Sequence, residues 1–368
     1  MSLRVPICIV SSIDHVARQT AIGGVTLDVP GVVVVQHDLE PDRDSVRRVV
    51  TDISGVLEEL EIPLRHSCLS CTLREEVLPT MVRLAASGKW SAILLALPVG
   101  ATPDVVVADL EETDDGAEGW DGSETCGHLV LRAVVSLLAL PTFEHDLFGD
   151  DLLAERGLHA SEVDRRSVGE ALAGQVESAD VIITSGLCDV ADELLDHLSG
   201  PVTTRVAGPY PDDWSEFFEA AEDRATDRRL IAQLPSAGER SRTTPAVWTL
   251  DLSSWRPFHP QRLHEQIERL GIGKFRTRGH FWLPTRPSTL CGWDAAGGQL
   301  SIGNHGTWGD TERTTRLLVT GLDPDDPDRI TEAFERVLMT DLELAMGLSH
   351  WQELDDGFSP WIGSKEPS

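Results

Sequence analysis

Short runs of consecutive apolar residues alternate with amphipathic or polar stretches over about the first 210 residues. The runs lie at residues 5–10, 32–35, 92–97, 130–140 and 179–183. Such runs are typical of strands in a parallel sheet that is covered on both faces. Helices are predicted between them: a short one after the turn at 11–17, one at about 42–60, and one that begins just after a pair of cysteines. This alternation predicts an α/β fold with a mostly parallel sheet and flanking helices.

The pattern changes near residues 235–245 (PSAGERSRTTP), which lack periodicity and are predicted to be a domain linker. The segment 104–125, which is acidic and contains glycine, is predicted to be a mobile loop. Beyond the linker we predict a strand (246–252), a helix (about 260–270), a strand (276–283), a Trp- and Gly-rich hairpin region to Trp308, a strand (316–321) and a helix (about 327–339). The prediction is therefore a first domain at 1–235, a smaller α+β domain at 246–350, and a loose polar tail at 351–368.

Composition narrows the class of protein. An apolar content of 41% with 25% charged residues is ordinary for globular domains. No basic segment precedes an apolar stretch at the start, and no run approaches the ~20 apolar residues of a membrane span. The six cysteines are scattered apart from one pair, which favours a reducing, cytoplasmic location. The net charge of −30 disfavours direct contact with free nucleic acid or anionic membranes.

The cysteine pair is the clearest chemical signal. Cys68 and Cys71 precede Thr72, which with Glu75 forms the pattern of a capping box at a helix start. Thiols at a helix N-terminus are favoured as thiolates by the helix dipole. Thiolates at this spacing can bind a soft or borderline metal ion or act as a redox pair. Two buried, inert cysteines remain an alternative interpretation.

Several segments resemble the CobW-like metal-handling GTPases, in the order in which that family carries them. They are residues 68–73, 175–180, 256–263 (RPFHPQRL), 276–283 (RTRGHFWL), 293–298 (WDAAGG) and 338–343 (LMTDLE). The resemblance spans about residues 5–345. It implies a P-loop-NTPase-like domain followed by a CobW C-terminal domain, with GTP and zinc as the ligands of the family.

The nucleotide motifs of that family are altered. A Walker A loop needs glycines whose amides surround phosphate, a lysine, and a hydroxyl for magnesium. The corresponding segment here is 11–20 (SSIDHVARQT). Ser12 and Ala17 replace the glycines, Arg18 and Gln19 replace Lys and Thr, and Asp14 adds an anion.

Two further nucleotide motifs are altered in the same way. Residues 96–99 (ALPV) replace the Glu-x-x-Gly of the family, and 185–188 (SGLC) replace its guanine-reading Asn-Lys-x-Asp. The resemblance therefore implies a GTPase fold with no catalytic residues and no retained nucleotide-binding residues, which makes GTP an unlikely cofactor.

The metal motif is reduced as well, because Ser70 replaces the middle cysteine of the family. A tetrahedral zinc site takes three or four nitrogen or sulfur ligands. His66 is the nearest candidate third ligand beside Cys68 and Cys71, although a plain surface histidine is as good an interpretation. His15 and Glu75 are weaker candidates. Two cysteines are better suited to weak, reversible zinc binding than to a tight structural site.

The CxxC form of the motif and residues 256–264 resemble a zinc-responsive branch of the family. That branch brings a ribosome-hibernation factor to the small ribosomal subunit when zinc is scarce, and the resemblance implies these partners here. The alternative is a GTP-dependent zinc metallochaperone, and a thiol oxidoreductase is weaker because no thioredoxin-like context surrounds the pair. Four histidines lack ligand spacing and are interpreted as ordinary polar or core residues: His259, His264, His280 and His305. Three aromatic residues are predicted to pack in the core of the small domain: Phe281, Trp282 and Trp293.

Overall fold

The computed structural model describes residues 4–64, 69–112, 129–161, 164–200, 202–219 and 242–365. The chain divides into two compact units. The first comprises Met1–Phe143, Asp151–Cys188 and Ser199–Ala232, and the second comprises Glu144–Asp150, Asp189–Leu198 and Gln233–Ser368.

The first unit is built on an eight-stranded sheet. Its strands are β1 (Val5–Ser12), β2 (Val32–Glu40), β3 (Ser45–Asp52), β4 (Gly55–Pro63), β5 (Ala92–Ala96), β6 (Leu129–Ala139), β7 (Val181–Ser185) and β8 (Thr204–Ala207). They are ordered β4-β3-β2-β5-β1-β6-β7-β8. All neighbours pair in parallel except β2 with β3 and β3 with β4. The prediction of a mostly parallel sheet is confirmed.

Helices cover both faces of this sheet. They are α1 (His15–Asp28), α2 (Leu69–Ala86), α3 (Asp104–Glu112), the start of α4 (Leu140–Phe148), α5 (Val168–Glu177) and α7 (Glu216–Glu219), whereas α6 (Asp189–Leu198) belongs to the second unit. Successive strand residues face opposite sides. Ile9 therefore packs with Val77 of α2 in one core cluster, and Val10 packs with Val25 of α1 in another. Burial on both faces explains the uninterrupted apolar runs in the sequence.

The helix predicted at about 42–60 is wrong, because this segment forms the antiparallel hairpin of β3 and β4. Valines dominate β3, and their branched side chains favour a pleated strand. The turn between the strands is stabilised by Asp52, whose carboxylate accepts hydrogen bonds from the amide and hydroxyl of Ser54. Gly55 follows with a φ of 121°, a conformation suited to glycine.

Helix α2 begins at Leu69, earlier than the predicted capping residue Thr72. Thr72 is buried within the helix, and Cys71 belongs to its first turn. A proline inside a helix commonly kinks or ends it, but α2 continues through Pro79 without interruption. The predicted loop at 104–125 is helical in its first part, as α3, and residues 113–128 lie outside the described range.

The second unit contains a six-stranded antiparallel sheet. Its strands are β9 (Arg242–Thr243), β10 (Trp248–Ser254), β11 (Phe275–Leu283), β12 (Arg286–Ala296), β13 (Gln299–Thr307) and β14 (Thr315–Gly321), and the order is β13-β12-β11-β14-β10-β9. Helices α8 (Pro260–Gly271) and α9 (Asp326–Val337) contribute Leu263 and Phe334 to a core that includes Phe281 and Trp293. The α+β prediction is confirmed. Of the predicted linker, residues 242–243 form β9, and 235–241 lie outside the described range.

The segment after residue 350 differs from the loose tail that the sequence predicted. Three short helices form this part of the chain. One precedes residue 350, one spans it and one follows it: α10 (Asp341–Leu344), α11 (Leu348–Gln352) and α12 (Ser359–Ile362). Phe358 and Ile362 are buried in the core of the second unit. Most residues of this segment are polar, so the few that anchor it leave no periodic signal.

Candidate functional site

The connection between β1 and α1 is very short. The strand ends at Ser12 and the helix begins at His15, which leaves only Ile13 and Asp14 between them. The Asp14 carboxylate accepts hydrogen bonds from the amides of Val16 (2.7 Å) and Ala17 (3.2 Å). A carboxylate of the chain itself therefore caps the positive end of α1, where a phosphate would otherwise bind.

Ser12 forms hydrogen bonds that join this connection to neighbouring segments of the chain. Its hydroxyl donates to the carbonyl of Leu137 (3.0 Å) and accepts from the amide of Asp14 (3.0 Å). Its carbonyl accepts from the amide of Gly100, again at 3.0 Å. The carbonyl of Ser12 and the amide of Asp14 are thus hydrogen-bonded within the protein.

Arg18 turns into the protein and is 1% exposed. One guanidinium nitrogen donates to the carbonyl oxygens of His37 (2.9 Å) and Leu97 (2.8 Å). The other pairs with the Asp38 carboxylate. The cation that stands in place of the Walker lysine therefore joins the ends of β2 and β5 and is neutralised there.

The other two positions of the altered loop have separate surroundings. Ala17 is half-buried and packs against the core cluster on the α1 side of the sheet. Gln19 is exposed. Sequence reasoning grouped these positions with Ser12 and Arg18, and the structure does not bring Gln19 into their network.

An apolar cluster lies beside the carboxyl ends of β1 and β5. Its buried members are Val99, Leu153, Leu158, Val168 and Ala171, and Ile13 packs against them. Gly100, with a φ of 83°, lets this cluster approach, because a Cβ there would lie 3.3 Å from Leu153 Cδ2. Ligands of open α/β sheets bind at this edge, and here the protein fills part of it with its own side chains.

The guanine-reading position is likewise changed. Ser185 donates its hydroxyl to the carbonyl of Leu138 (3.3 Å). Gly186 has a φ of 76° and no room for a Cβ, which would lie 2.7 Å from Pro141. Leu187 is 90% exposed. By the alignment with Asn-Lys-x-Asp, Leu187 stands at the variable position and Cys188 at the position of the guanine-binding carboxylate, so that carboxylate is missing.

His37 is a buried residue of β2 that sequence reasoning missed. It is 1% exposed, and within the described part of the chain neither ring nitrogen has a hydrogen-bond partner. Burial, followed by the charge of Arg48, lowers the pKa of His37 to about 3. The imidazole is therefore neutral in the folded chain at neutral pH. Only its place between a continuous apolar run and Asp38 could have suggested burial.

We expect the folded state to lose stability as the pH falls from about 6.5 towards 3, with His37 as a contributor. In this range the unfolded chain takes up a proton that the folded His37 refuses. Urea unfolding of His37→Leu should show a flatter pH dependence over this range than the unchanged protein. The exposed His15→Leu serves as control, and identical pH dependence in the two variants would contradict the assignment.

The predicted metal ligands cannot be brought together from the described residues. His66 and Cys68 lie outside them, and Cys71 is placed only as part of the α2 backbone. His15 and Glu75 are both exposed. Within the described ranges, no group of three or more His, Cys, Asp or Glu could hold a metal ion. The described helices also include none that is long and apolar enough to cross a membrane.

The segments of the C-terminal half that resemble the CobW-like proteins have structural roles. His259 caps α8 by accepting the amide of Arg262 (3.4 Å), and Arg262 makes two hydrogen bonds to the Glu343 carboxylate (2.6 and 2.8 Å). Arg276 pairs in the same two-bond manner with Asp294 (2.7 and 2.8 Å). The predicted core aromatics are buried, as expected: Phe281, Trp282 and Trp293.

The chain is similar in sequence to known proteins, in one domain and over most of its length. Residues 247–338 match the sequence profile of the cobalamin synthesis protein cobW C-terminal domain. The chain is 26% identical to a zinc chaperone of Mycobacterium tuberculosis, over 98% of this chain and 94% of the relative. It is 22% identical to the zinc-regulated GTPase metalloprotein activator 1 of Dictyostelium discoideum, over 80% and 69% of the two chains.

Among solved structures, the Zn(II)-bound YjiA GTPase of E. coli matches with a TM-score of 0.37 and 12% identity. The match covers 92% of this chain and 100% of that chain. The sequence comparisons therefore show similarity to CobW-related proteins, which the profile match places in the C-terminal half. The second unit of the chain contains a CobW C-terminal domain, and its relatives are named for zinc.

Proposed function

We propose that this chain is a zinc-linked CobW-like protein that acts without binding or hydrolysing GTP. The observation that carries the proposal is the closed connection between β1 and α1. The amides of Val16 and Ala17, the Arg18 cation and the amide of Gly100 in the neighbouring loop are hydrogen-bonded to partners inside the protein.

The energetic argument concerns what a nucleotide would displace. Catalysis of phosphoryl transfer depends on amides, a lysine and magnesium placed around the phosphates. Here a phosphate would meet the Asp14 carboxylate and the apolar side chain of Ile13, while Arg18 is already paired. Binding would remove water from a highly charged group without enough new partners. The free energy of GTP binding should therefore be close to zero or unfavourable.

Zinc is the ligand that the relatives and the cysteine pair support. Cys68 and Cys71 are the proposed ligands, His66 is the proposed third, and His15 and Glu75 are weaker candidates. Because Cys71 belongs to the first turn of α2, the helix dipole favours its thiolate form. Binding should release protons and weaken as the pH falls, since each thiol must lose its proton.

Changing Cys68 and Cys71 together to serine should abolish zinc binding at this pair, because a serine hydroxyl is a poor zinc ligand at neutral pH. Calorimetric titration with zinc, combined with proton-release measurements in two buffers, checks this. Cys188→Ser is the matched control, since Cys188 is a free cysteine of another segment. Unchanged proton-coupled binding in the double variant would place the zinc site elsewhere.

The finer proposal is that zinc controls recruitment of a ribosome-hibernation factor to the small ribosomal subunit. It is supported by the resemblance of the CxxC segment and of residues 256–264 to the Mpy recruitment factor. With a net charge of −30, the chain would meet the subunit through basic ribosomal proteins rather than RNA. Zinc can shift such an equilibrium only by binding one state more tightly than the other.

Co-sedimentation with small subunits, with the hibernation factor present and zinc either added or chelated, tests recruitment. The account expects sedimentation that changes with zinc in the unchanged protein and not in the double cysteine variant. Sedimentation indifferent to zinc in both proteins would reject recruitment while leaving zinc binding intact.

A second candidate function is a GTP-dependent zinc metallochaperone. The names of the two relatives favour it, since one is a zinc chaperone and the other a zinc-regulated GTPase. It differs from the first in requiring GTP, so nucleotide binding separates the two.

A further inference from the structure

His280 of β11 and His305 of β13 face the same side of the antiparallel sheet of the second unit. His280 of β11 lies directly opposite Gly292 of β12, which in turn lies opposite Gly303 of β13. Opposite residues of antiparallel strands direct their side chains to one face. This is the face away from the core, because the alternate residues Phe281 and Trp293 belong to the core cluster.

The ring of His305 fills the space that Gly292 leaves. A Cβ built on Gly292 would lie 2.2 Å from Nε2 and 2.5 Å from Nδ1 of His305. Directly opposite Cβ atoms are about 5 Å apart. The imidazole of His305 therefore occupies the position next to the His280 side chain on this face, so the two rings are neighbours there.

One ring nitrogen of His280 is hydrogen-bonded, and the other has no partner among the described residues. Its Nε2 lies 2.9 Å from the hydroxyl of Thr314, and its ring packs edge-on against Trp308 at 5.6 Å. The buried Nδ1 has no hydrogen-bond partner among the residues that the structure describes. If Nε2–H donates to Thr314, then Nδ1 carries the lone pair, which is how a metal-binding histidine is oriented by its outer partner. A buried nitrogen left unpaired is costly, and such an atom calls for an explanation.

The charges around the pair permit a cation. Arg316, which lies opposite His280 on β14, makes two hydrogen bonds to the Asp251 carboxylate (2.8 and 2.9 Å). This pairing reduces its repulsion of a metal ion.

We propose that His280 and His305 form a second zinc site, separate from the cysteine pair. Imidazole nitrogen is a preferred ligand of Zn²⁺, whose remaining positions would be filled by water. Two protein ligands make a weak, exchangeable site. The other two histidines singled out in the sequence have different roles, since His259 caps α8 and His264 stacks on Phe358 at 4.1 Å.

The test uses the chain with Cys68→Ser and Cys71→Ser, so that it is independent of the cysteine site. Calorimetric titration with zinc chloride should show a residual weak site. His305→Ala should remove it, and Gly292→Ala should weaken it at least several-fold, because the new Cβ displaces the His305 ring while both histidines remain. His350→Ala, which removes an exposed histidine of α11, should leave it unchanged.

His305 is exposed, so its removal should leave folding intact, which a thermal melt can verify. Absence of residual zinc binding in the double serine chain would overturn the proposal. Residual binding that survives both His305→Ala and Gly292→Ala would also overturn it. Neither result would bear on Cys68 and Cys71, which are absent from this background.

Discussion

Asp356→Ala should lower the free energy of unfolding of the second unit by about 3–5 kcal/mol. Asp356 lies in the segment that the sequence predicted to be loose. Its carboxylate accepts hydrogen bonds from Arg286 Nε (2.8 Å) and from a second guanidinium nitrogen (3.0 Å). It also accepts the hydroxyl of Thr285 (2.7 Å).

The size of this effect follows from burial. The side chains of Arg286 and Asp356 are only 2% and 0% exposed. Removing the carboxylate leaves a buried cation without its counter-charge, which costs far more than the net value of the pair. The chain after residue 350 should then detach before the rest of the unit unfolds.

Urea unfolding followed by tryptophan fluorescence measures this change. Glu353→Ala, at an exposed position of the same segment, should change stability by less than about 0.5 kcal/mol. Replacing both partners, as Arg286→Met with Asp356→Leu, should recover much of the loss. If Asp356→Ala is no more destabilising than Glu353→Ala, the buried ion pair does not anchor this segment.

Arg18→Ala should cost the first unit about 3 kcal/mol, by the same reasoning. The substitution removes donors to the carbonyls of His37 and Leu97, and it leaves Asp38 with only the longer contact to the Arg47 cation (4.0 Å). These carbonyls belong to the ends of two neighbouring strands. Loss of the hydrogen bonds from Arg18 should therefore loosen the edge of the sheet where β1 leads into α1.

The matched control is Arg43→Ala. Arg43 pairs with Glu61 at 3.2 Å, but both side chains are well exposed, at 65% and 48%. Exposed pairs contribute about 0–1 kcal/mol. Equal effects of the two substitutions in urea unfolding would mean that Arg18 is not a structural cation.

Much of the fold could be predicted from the sequence, because burial on both faces leaves uninterrupted apolar runs. Strands β1, β2, β5, β6 and β7 were located in this way. The β3–β4 hairpin was missed because charged residues alternate irregularly with valine there, and a short mixed pattern suits a helix or a strand equally. Helix α2 was predicted, but not its start, since the cap pattern at Thr72 competes with packing.

The candidate site was predicted only in part. The altered residues Ser12, Ala17, Arg18 and Gln19 were identified by position, yet the sequence could not show that Arg18 turns inward. The partners of Arg18 are set by the strand order. This order brings Leu97 close to Arg18, although the two residues are 79 positions apart along the chain. The apolar cluster also depends on tertiary structure, because Leu153 reaches this edge from a distant segment. The zinc ligands Cys68, Cys71 and His66 remain predictions.

The most direct test of the proposed function is a calorimetric titration of the zinc-free and zinc-loaded chain with GTP and magnesium, together with a phosphate-release assay. We expect no detectable binding and no release of phosphate in either state, because the amides of Val16 and Ala17, the Arg18 cation and part of the space beside β1 are already occupied. A dissociation constant in the micromolar range or below, with turnover, would contradict it and favour the GTP-dependent metallochaperone.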